Sequence, residues 1–420
     1  MDKFKINGPS KLTGNVSISG SKNAALPIMV ACIAYPGIYT LNNVPNLRDT
    51  RTMAKLIETI GGKVKKNVNQ LIIDTLDCDN PEAPYELVKT MRASFYVLGP
   101  LLSRFDYAKV SLPGGCAWGP RPVDFHIKAF EEMGAEISLD EGYILAKGKL
   151  HSNKIHFKIP SVGATGNVLM GCVNLEDTLT ITNAAKEPEI VDLCNFLIKI
   201  GVKIAGVGTS TLKIKGISKK DTQARKITYD IISDRIEAGT FLMAAAITGS
   251  KITLDNIVTD HLKAVLGKLK DSGSEILVTG NDSITIDATQ TLKPVNVTTD
   301  VFPGFPTDLQ PQWITLMTLA SGVSIITDNV YFDRFSHIPE LIRMGAKITL
   351  DKNIAKVEGV GSLKGAKVMA GDLRAGASLV LAALKSKEET IISRIYHIDR
   401  GYESFEEKLQ SLNVDIVRLN

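Results

Sequence analysis

The sequence predicts an α/β protein assembled from about six copies of one supersecondary unit. Two observations lead to this fold class. At six places an amphipathic helix runs into a small turn residue and then into a strand, and the turn residues recur every 67 to 73 positions. Self-similarity at a roughly fixed period is the signature of a repeated architecture. A glycine or asparagine also suits the left-handed position that follows a helix C-terminus. The turn residues are Gly61, Gly134, Gly201, Gly273, Gly345 and Asn413.

The first repeat shows the order of elements within one unit. Alternation of polar and apolar residues predicts strands, and apolar residues three or four positions apart predict one face of a helix. The predicted elements are a strand at 15–19, a helix at 24–34, a strand at 38–44, a helix with apolar residues at 53, 56, 57 and 60, and strands at 63–66 and 71–74. The unit is therefore βαβαββ.

The repeats predict a division of the chain into two domains. A single unit has a sheet face and helices to cover it, but it cannot complete a core alone, so several units must pack together. A chain of 420 residues is long enough for two or three domains. Six units divide naturally into two groups of three, and the polar run at 218–228 is the predicted crossover between them.

The composition excludes several classes of protein. With 49 Lys and Arg against 45 Asp and Glu, the net charge of +4 is too mild for a nucleic-acid-coating protein. The five cysteines are scattered without a Cys-x-x-Cys pair, which argues against a disulfide framework or zinc site and indicates a reducing compartment. The N-terminal residues lack a signal core, and the longest apolar stretch, at 241–247, is too short for a membrane span. We expect a cytoplasmic protein.

Unusual polar loops occur where the first strand of each repeat meets the first helix. Helix N-termini carry unpaired N–H groups and positive partial charge, so they bind anions. If the repeats converge on one cleft, these loops line it, and Lys22, Arg121 and Arg374 add positive charge. The pattern predicts a site for a polyanionic small molecule. The loops are residues 19–23, 112–122, 160–165, 233–239, 305–308 and 370–374.

The loop at 112–122 is the candidate lid of this site. Three glycines and three prolines in eleven residues give it little power to form a core. Cys116 lies at its centre close to Arg121, and neighbouring cations lower the pKa of a thiol from about 8.5. Cys116 is therefore a candidate reactive thiol, with an inert small residue as the alternative. For Asp308 the alternative is an acidic residue that only stabilises a helix N-terminus.

Together these loops resemble the UDP-N-acetylglucosamine 1-carboxyvinyltransferases, a family of enolpyruvyl transferases. The resemblance runs from about residue 1 to residue 418. It implies a two-domain inside-out α/β barrel, divided into residues 22–232 and residues 1–21 with 233–420. The motifs that carry it are Ser21-Lys22-Asn23, Leu112-Pro-Gly-Gly-Cys116 with Arg121-Pro-Val-Asp124, Phe305-Pro-Thr-Asp308, Asp372-Leu-Arg374 and Tyr396-His-Ile-Asp-Arg-Gly-Tyr402.

The resemblance implies a reaction and assigns residues to it. Family members transfer the enolpyruvyl group of phosphoenolpyruvate to the 3′-hydroxyl of UDP-N-acetylglucosamine and release phosphate, in the first committed step of peptidoglycan precursor synthesis. The reaction proceeds by addition and elimination, without a metal or other cofactor. The implied proton donor is Cys116, which can also form a covalent adduct with phosphoenolpyruvate, and the implied base is Asp308; Lys22 and Arg400 complete the catalytic set.

The resemblance also implies two sets of binding residues. The phosphoenolpyruvate set is Lys22, Asn23, Arg121 and Arg400. The UDP-sugar set is Asn23, Arg92, Arg121, Pro122, Val123, Asp124, Phe125, Ser161, Val162, Gly163, Asp308 and Val330, with Arg334, Asp372 and Arg374 at further cleft positions. Two positions depart from the family, because Ile159 stands where Lys is frequent and Phe332 where Glu is frequent.

Two other hypotheses stay open at this point. A shikimate-pathway enolpyruvyl transferase shares the fold and phosphoenolpyruvate, but it lacks the Pro-Gly-Gly-Cys segment. A non-catalytic sugar-nucleotide-binding protein would keep the cleft, but it would not need all four catalytic residues. In each case the expected partners are small molecules rather than nucleic acid or membrane, and the sequence does not indicate an oligomeric state.

Overall fold

The computed structural model describes residues 2–89, 91–112, 123–218, 221–280 and 282–419. The chain forms two compact units. The N-terminal unit is Gly20–Ile232, and the C-terminal unit combines Met1–Ser19 with Ser233–Asn420. The resemblance implied a first boundary after residue 21, whereas the contacts within the units place it after Ser19.

The strands are short, and each pairs within one of six four-stranded sheets formed by the described residues. In chain order they are β1 Lys3–Asn7, β2 Asn15–Ser17, β3 Gly37–Asn42, β4 Lys63–Asn67, β5 Gln70–Asp74, β6 Glu82–Ala83, β7 Tyr107–Ser111, β8 Glu136–Asp140, β9 Tyr143–Lys147, β10 Lys154–His156, β11 Leu179–Thr182, β12 Lys203–Ala205, β13 Thr211–Lys215, β14 Arg225–Asp230, β15 Lys251–Asp255, β16 Glu275–Thr279, β17 Ser283–Asp287, β18 Val297–Thr299, β19 Val323–Asp328, β20 Lys347–Asp351, β21 Ile354–Glu358, β22 Lys367–Met369, β23 Glu389–Ser393 and β24 Asp415–Leu419.

Helices connect these strands. The α-helices are α1 Lys22–Ala31, α2 Arg48–Thr59, α3 Tyr85–Val88, α4 Leu98–Phe105, α5 Asp124–Glu132, α6 Val162–Gly171, α7 Pro188–Ile200, α8 Arg235–Thr248, α9 Lys263–Asp271, α10 Gln310–Met317, α11 Ile338–Arg343, α12 Leu373–Lys385 and α13 Phe405–Ser411. Short 3-10 helices lie at Cys32–Ala34, Arg92–Val97, Thr259–Leu262, Thr307–Leu309 and Ile395–Arg400.

All six sheets share one topology. The strand that opens a repeat lies parallel to the second strand, the second pairs antiparallel with the last, and the third forms the outer edge. The orders are β14-β3-β5-β4, β6-β7-β9-β8 and β10-β11-β13-β12 in the N-terminal unit, and β2-β15-β17-β16, β18-β19-β21-β20 and β22-β23-β1-β24 in the C-terminal unit.

Three strands complete repeats that are distant in sequence. Strand β14 opens the sheet of the first repeat beside β3, and β2 opens the sheet of the fourth repeat beside β15. Strand β1 pairs with β23 and β24 and takes the place of the last strand of the sixth repeat. The prediction that 218–228 forms the crossover is therefore wrong, because part of this run belongs to β14 in the N-terminal unit.

The turn residues behave as the sequence predicts. Each of the six has a positive φ, from 92° to 116° for the five glycines and 66° for Asn413. This conformation favours glycine, and asparagine tolerates it better than most other residues do. The six turns therefore end the amphipathic helices in the same way and direct the chain into the edge strand that follows each one.

Buried helices form the centre of each unit. Helices α8, α10 and α12 are buried along almost their whole length and pack against one another in the C-terminal unit. Helices α1, α4 and α6 are similarly apolar in the N-terminal unit. A helix that is apolar on all sides requires burial on all sides, which explains why the sheets lie outside these helices.

Buried carboxylates hold the two segments where the chain passes between the units. Within the C-terminal unit, Glu237 accepts hydrogen bonds from the Ser19 backbone N–H at 3.2 Å and from Lys408 Nζ. Within the N-terminal unit, Asp192 accepts from Tyr229 Oη at 2.6 Å and from the Ile232 backbone N–H at 3.4 Å. Each carboxylate thus fixes a residue that borders the passage between the units.

Asp192 makes the stability of the folded N-terminal unit depend on pH. Burial raises its pKa from 3.8 to about 6, although the hydrogen bonds from Tyr229 and Ile232 act in the opposite direction. The folded state therefore binds a proton more tightly than the unfolded chain, and stability is lost as the pH rises from about 4 to about 6. This contribution is on the order of 3 kcal/mol.

We expect Asp192→Asn to remove this loss, because an amide cannot ionise. Relative to the wild type, the variant should gain about 2 to 3 kcal/mol of unfolding free energy between pH 4 and pH 7. Urea unfolding at both pH values measures the gain. Asp230→Asn, which changes an exposed carboxylate on β14, is the matched control. A stability difference from wild type that is equal at both pH values would contradict the assignment.

Candidate active site

Asp308 is the centre of a charged cluster in the C-terminal unit. It lies in the 3-10 helix Thr307–Leu309 that leads into α10. Its Oδ2 accepts hydrogen bonds from Arg374 Nη2 at 2.9 Å and Nε at 3.2 Å, and its Oδ1 accepts from Arg334 Nη1. Both Arg374 bonds are charge-assisted and reach the same oxygen, while Arg334 holds the other, so each oxygen of the carboxylate has a guanidinium partner. The structure therefore brings three predicted site residues together.

The two arginines control the ionisation of this carboxylate. Burial by itself would raise the pKa of Asp308, but the charges and hydrogen bonds of Arg334 and Arg374 outweigh it and hold the pKa well below its usual range. Asp308 is therefore ionised at any physiological pH. In this arrangement it is a strong hydrogen-bond acceptor and a weak base, and loss of either arginine contact would raise its basicity.

Helix α12 places Arg374 at the start of its first turn. Asp372 precedes the helix and accepts from the backbone N–H groups of Arg374 at 2.8 Å and Ala375 at 3.1 Å, as an N-terminal cap does. Asp372, which the resemblance assigned to the cleft, thus also caps the helix that carries Arg374. The guanidinium of Arg374 also lies over the ring of Tyr402, with 5.6 Å between the guanidinium carbon and the ring centroid.

The remaining predicted residues of this unit lie in connecting segments. Val330 is exposed in the segment between β19 and α11, which also contains Arg334. Arg400 closes the 3-10 helix Ile395–Arg400 and is half-buried. Phe332, one of the two departures from the family, is 62% exposed. A large exposed aromatic side chain in this segment is available for contact with a ligand.

The N-terminal unit places its predicted residues at the starts of helices. Lys22 opens α1 and lies 3.6 Å from Asp49, with only 12% of its side chain exposed, while Asn23 beside it is exposed. This ion pair fixes the ammonium group of Lys22. Val123, Asp124 and Phe125 lie at the start of α5, where Asp124 complements the positive end of the helix.

The start of α6 holds Ser161, Val162 and Gly163 of the predicted UDP-sugar set. Ser161 caps the helix by accepting from the Ala164 backbone N–H at 3.2 Å. A Cβ at Gly163 would lie 3.0 Å from the ring of His126, so glycine allows the close approach of that ring. His126 Nδ1 lies 3.0 Å from Asn167 Nδ2. Ile159, the second departure, is 59% exposed just before this helix.

Several predictions fall outside the described residues. These are Cys116, Arg121 and Pro122, and also the side chain of Arg92. The other four cysteines are buried and carry free thiols. Burial raises the pKa of Cys78 to about 11 and that of Cys194 to about 12, and it raises the pKa values of Cys32 and Cys172 as well. These four thiols are protonated and inert at neutral pH.

Residues 6–409 match the family model described as EPSP synthase (3-phosphoshikimate 1-carboxyvinyltransferase). The chain belongs to this enolpyruvyl transferase family. Within the family it is similar to proteins named UDP-N-acetylglucosamine 1-carboxyvinyltransferase. One from Chloroherpeton thalassium is 54% identical over 422 residues, which cover 100% of this chain and 97% of the relative. Another from Geotalea daltonii is 49% identical over 420 residues, with 100% of both chains covered.

Solved structures of enolpyruvyl transferases share the fold. The enolpyruvyl transferase NikO from Streptomyces tendae has a TM-score of 0.89 at 25% identity, covering 99% of this chain and 98% of that one. An EPSP synthase from Acinetobacter baumannii has a TM-score of 0.75 at 18% identity over both complete chains, which shows the fold alone. The predicted fold class and the resemblance to this enolpyruvyl transferase family are confirmed.

Two further properties concern the described part of the chain alone. None of its helices combines the length and the apolar character needed to cross a membrane. It also holds no group of three or more His, Cys, Asp and Glu side chains arranged to bind a metal ion.

The sequence did not indicate that the carboxylates of Asp192, Glu237 and Asp328 are buried. One of them, Asp328, contacts the candidate site, because it accepts a hydrogen bond from Thr307, the residue before Asp308. Asp328 ends β19 and is followed by Asn329, and the same Asp-Asn pair ends β15 as Asp255 and Asn256. That identity hides the difference between the two positions, because only the three-dimensional contacts distinguish them.

Proposed function

We propose that this protein transfers the enolpyruvyl group of phosphoenolpyruvate to the 3′-hydroxyl of UDP-N-acetylglucosamine and releases phosphate. The observation that carries the proposal is 54% identity, over the full length of the chain, to a protein named for this activity. The EPSP synthase structure, at 18% identity, supports only a shared fold and gives no reason to prefer shikimate 3-phosphate as the acceptor.

The chemistry of the first substrate explains the cations that the proposal assigns to it. Phosphoenolpyruvate carries a carboxylate and a phosphate, and guanidinium groups bind both with paired hydrogen bonds. We assign this role to Lys22, Arg121 and Arg400. The ion pair of Lys22 with Asp49 supports the assignment, because it holds the ammonium in one place before the substrate arrives.

The addition step requires one proton donor and one acceptor. The 3′-oxygen of the sugar forms a bond to C2 of phosphoenolpyruvate, while C3 receives a proton from the Cys116 thiol. The proton of the sugar hydroxyl passes to Asp308. The product of this step is a tetrahedral intermediate that still carries the phosphate on C2.

Elimination completes the transfer. C3 returns a proton to the Cys116 thiolate, the C2–C3 double bond forms again, and the C2–O bond to phosphate breaks. The proton held by Asp308 leaves with the phosphate, which restores both residues to their starting states. The ionised state of Asp308 supports its part in the addition step, because only an ionised carboxylate can accept the hydroxyl proton. That acceptance becomes easier if substrate binding draws Arg334 or Arg374 away from it.

The UDP-sugar residues and the location of the protein belong to the same proposal. We assign the nucleotide to the starts of α5 and α6, where the free N–H groups of a helix N-terminus suit a diphosphate. Both substrates are phosphorylated metabolites of the cytoplasm, which supports a cytoplasmic location.

A phosphate-release assay tests the proposal directly. The purified protein is given phosphoenolpyruvate with UDP-N-acetylglucosamine, with shikimate 3-phosphate, or with no acceptor. We expect phosphate only with the UDP-sugar. Release with shikimate 3-phosphate alone would support the shikimate-pathway alternative. No release in any arm, together with measurable binding of the UDP-sugar, would support the non-catalytic alternative.

A further inference from the structure

Asp328 is a buried carboxylate that connects two segments of the candidate site. It ends β19 and has no exposed surface. Its Oδ1 accepts hydrogen bonds from Thr299 Oγ1 at 2.6 Å, from the Tyr331 backbone N–H at 2.8 Å and from the Val330 backbone N–H at 3.1 Å. Its Oδ2 accepts from Thr307 Oγ1 at 2.7 Å. Both oxygens are therefore occupied.

In three other repeats the strand equivalent to β19 ends differently; these strands are β3, β11 and β15. There the strand-end residue is followed by an asparagine with φ between 55° and 57°. The side-chain amide of that asparagine donates to a backbone carbonyl just past the end of the parallel opening strand. The bonds join Asn43 to Ile231, Asn183 to Phe157 and Asn256 to Ile18, at 2.6 to 2.8 Å.

The fifth repeat departs from this arrangement. Asn329 follows Asp328 but is not in the left-handed conformation, and its backbone N–H donates to Thr299 Oγ1 at 3.1 Å. The backbone N–H of Asp300 donates to the Phe305 carbonyl at 3.0 Å, whereas the residue equivalent to Asp300 in the other three repeats bonds to the neighbouring strand. The chain after β18 therefore turns back on itself and places Thr307 beside Asp328.

We propose that Asp328 is a positioning residue that sets the relative placement of Asp308 and Arg334. One carboxylate holds Thr307, the residue before Asp308, and also the backbone of Val330 and Tyr331, which lead to Arg334. The departure from the repeat thus occurs in the repeat that supplies Asp308. Four hydrogen bonds, of which the shortest are 2.6 and 2.7 Å, hold both segments to one side chain, so this connection is stiff. The inference rests on the proposed function of Asp308.

The first test is Asp328→Asn, which keeps the shape of the side chain and replaces one acceptor oxygen by a donor. A misplacement of about 1 Å at a reacting group can reduce the rate about a hundredfold. We expect kcat to fall about tenfold to a hundredfold. KM for the UDP-sugar should rise, because Val330, whose backbone N–H bonds to Asp328, belongs to the assigned UDP-sugar set. KM for phosphoenolpyruvate should not change, because the residues assigned to it lie on other segments.

Asp255→Asn is the matched control. Asp255 holds the same strand-end position in the fourth repeat, where the Asn256 side chain makes the connection instead. We expect wild-type kinetics from it. A purely structural role for Asp328 would reduce the amount of active enzyme, which lowers the apparent kcat but leaves both KM values unchanged. That result, or wild-type kinetics in Asp328→Asn, would overturn the inference.

A second variant covers the case in which Asp328→Asn does not fold. Thr307→Val removes only the hydroxyl that bonds to Oδ2 and preserves the shape of the side chain. We expect KM for the UDP-sugar to rise and KM for phosphoenolpyruvate to stay unchanged, as in Asp328→Asn, with a smaller fall in kcat. If both variants fold, the double variant should lose no more kcat than Asp328→Asn alone. Additive losses of kcat would indicate that Asp328 does not act through Thr307.

Crystal structures separate this inference from the proposed function. If the wild-type protein turns over neither acceptor, the proposed function fails, but the position of Asp308 remains measurable. We expect the Asp308 carboxylate to shift relative to Arg334 in Asp328→Asn or in Thr307→Val, and not in Asp255→Asn. An unchanged Asp308–Arg334 pair in the variant would overturn the positioning role whatever the activity.

Discussion

Asp308→Asn should reduce turnover about a thousandfold, because a positioned acid or base contributes about 10² to 10⁴ to the rate. The amide cannot take the proton of the sugar hydroxyl, and it cannot balance the charges of Arg334 and Arg374. UDP-sugar binding should be largely kept, since most of the assigned nucleotide contacts lie in the N-terminal unit. Phosphate release measures the first effect, and calorimetric titration with the UDP-sugar measures the second.

The same substitution also removes the charge partner of a buried cation. Arg374 has only 5% of its side chain exposed, and breaking a buried ion pair from one side destabilises a protein by about 3 to 5 kcal/mol. A lower unfolding midpoint is therefore expected in Asp308→Asn and in Asp308→Ala. The kinetic comparison must be made at a temperature where both variants are fully folded.

Asp260→Asn is the control for Asp308→Asn. Asp260 is also the second residue of a 3-10 helix in the C-terminal unit that leads into an α-helix, and it also follows a threonine. Its carboxylate is exposed and lies 3.0 Å from Lys263. This variant should keep wild-type turnover. Near-wild-type turnover in Asp308→Asn would exclude Asp308 as the proton acceptor and leave it a structural role alone.

The sequence could predict the local features of this fold because each depends on a few neighbouring residues. The positive φ at Gly61 and Asn413 follows from the residue type and from the preceding helix. The pairing of β14 with β3 and of β2 with β15 could not be predicted in this way. Alternation of apolar residues predicts a strand, but it carries no information about a partner more than 180 residues away.

The site shows the same limit. The resemblance named Asp308, Arg334 and Arg374, but their mutual contact depends on how the 3-10 helix, the segment after β19 and α12 pack. Asp255-Asn256 and Asp328-Asn329 are identical dipeptides at equivalent strand ends, and only one of them connects to the site. The fifth repeat therefore differs from the fourth in the contacts that this dipeptide makes, and not in the dipeptide itself.

Cys116→Ala should abolish covalent labelling of this protein by a small thiol-directed epoxide such as fosfomycin. In the wild type we expect one label per chain, measured as intact mass at neutral pH. The reason for a single label is the state of the other cysteines, since Cys32, Cys78, Cys172 and Cys194 are buried and burial raises their pKa values. A protonated buried thiol is a poor nucleophile.

Cys78→Ala is the matched control, because Cys78 has the lowest raised pKa that is resolved among the buried four, at about 11. It should be labelled as the wild type is. Of these two variants, only Cys116→Ala should lose turnover, because it alone removes the thiol that we propose as the proton donor for C3 of phosphoenolpyruvate. Cys116→Asp, which restores an acid at the same position, should recover part of the turnover but none of the labelling. Unchanged labelling of Cys116→Ala would refute the assignment, since the reactive group would then have to be another side chain.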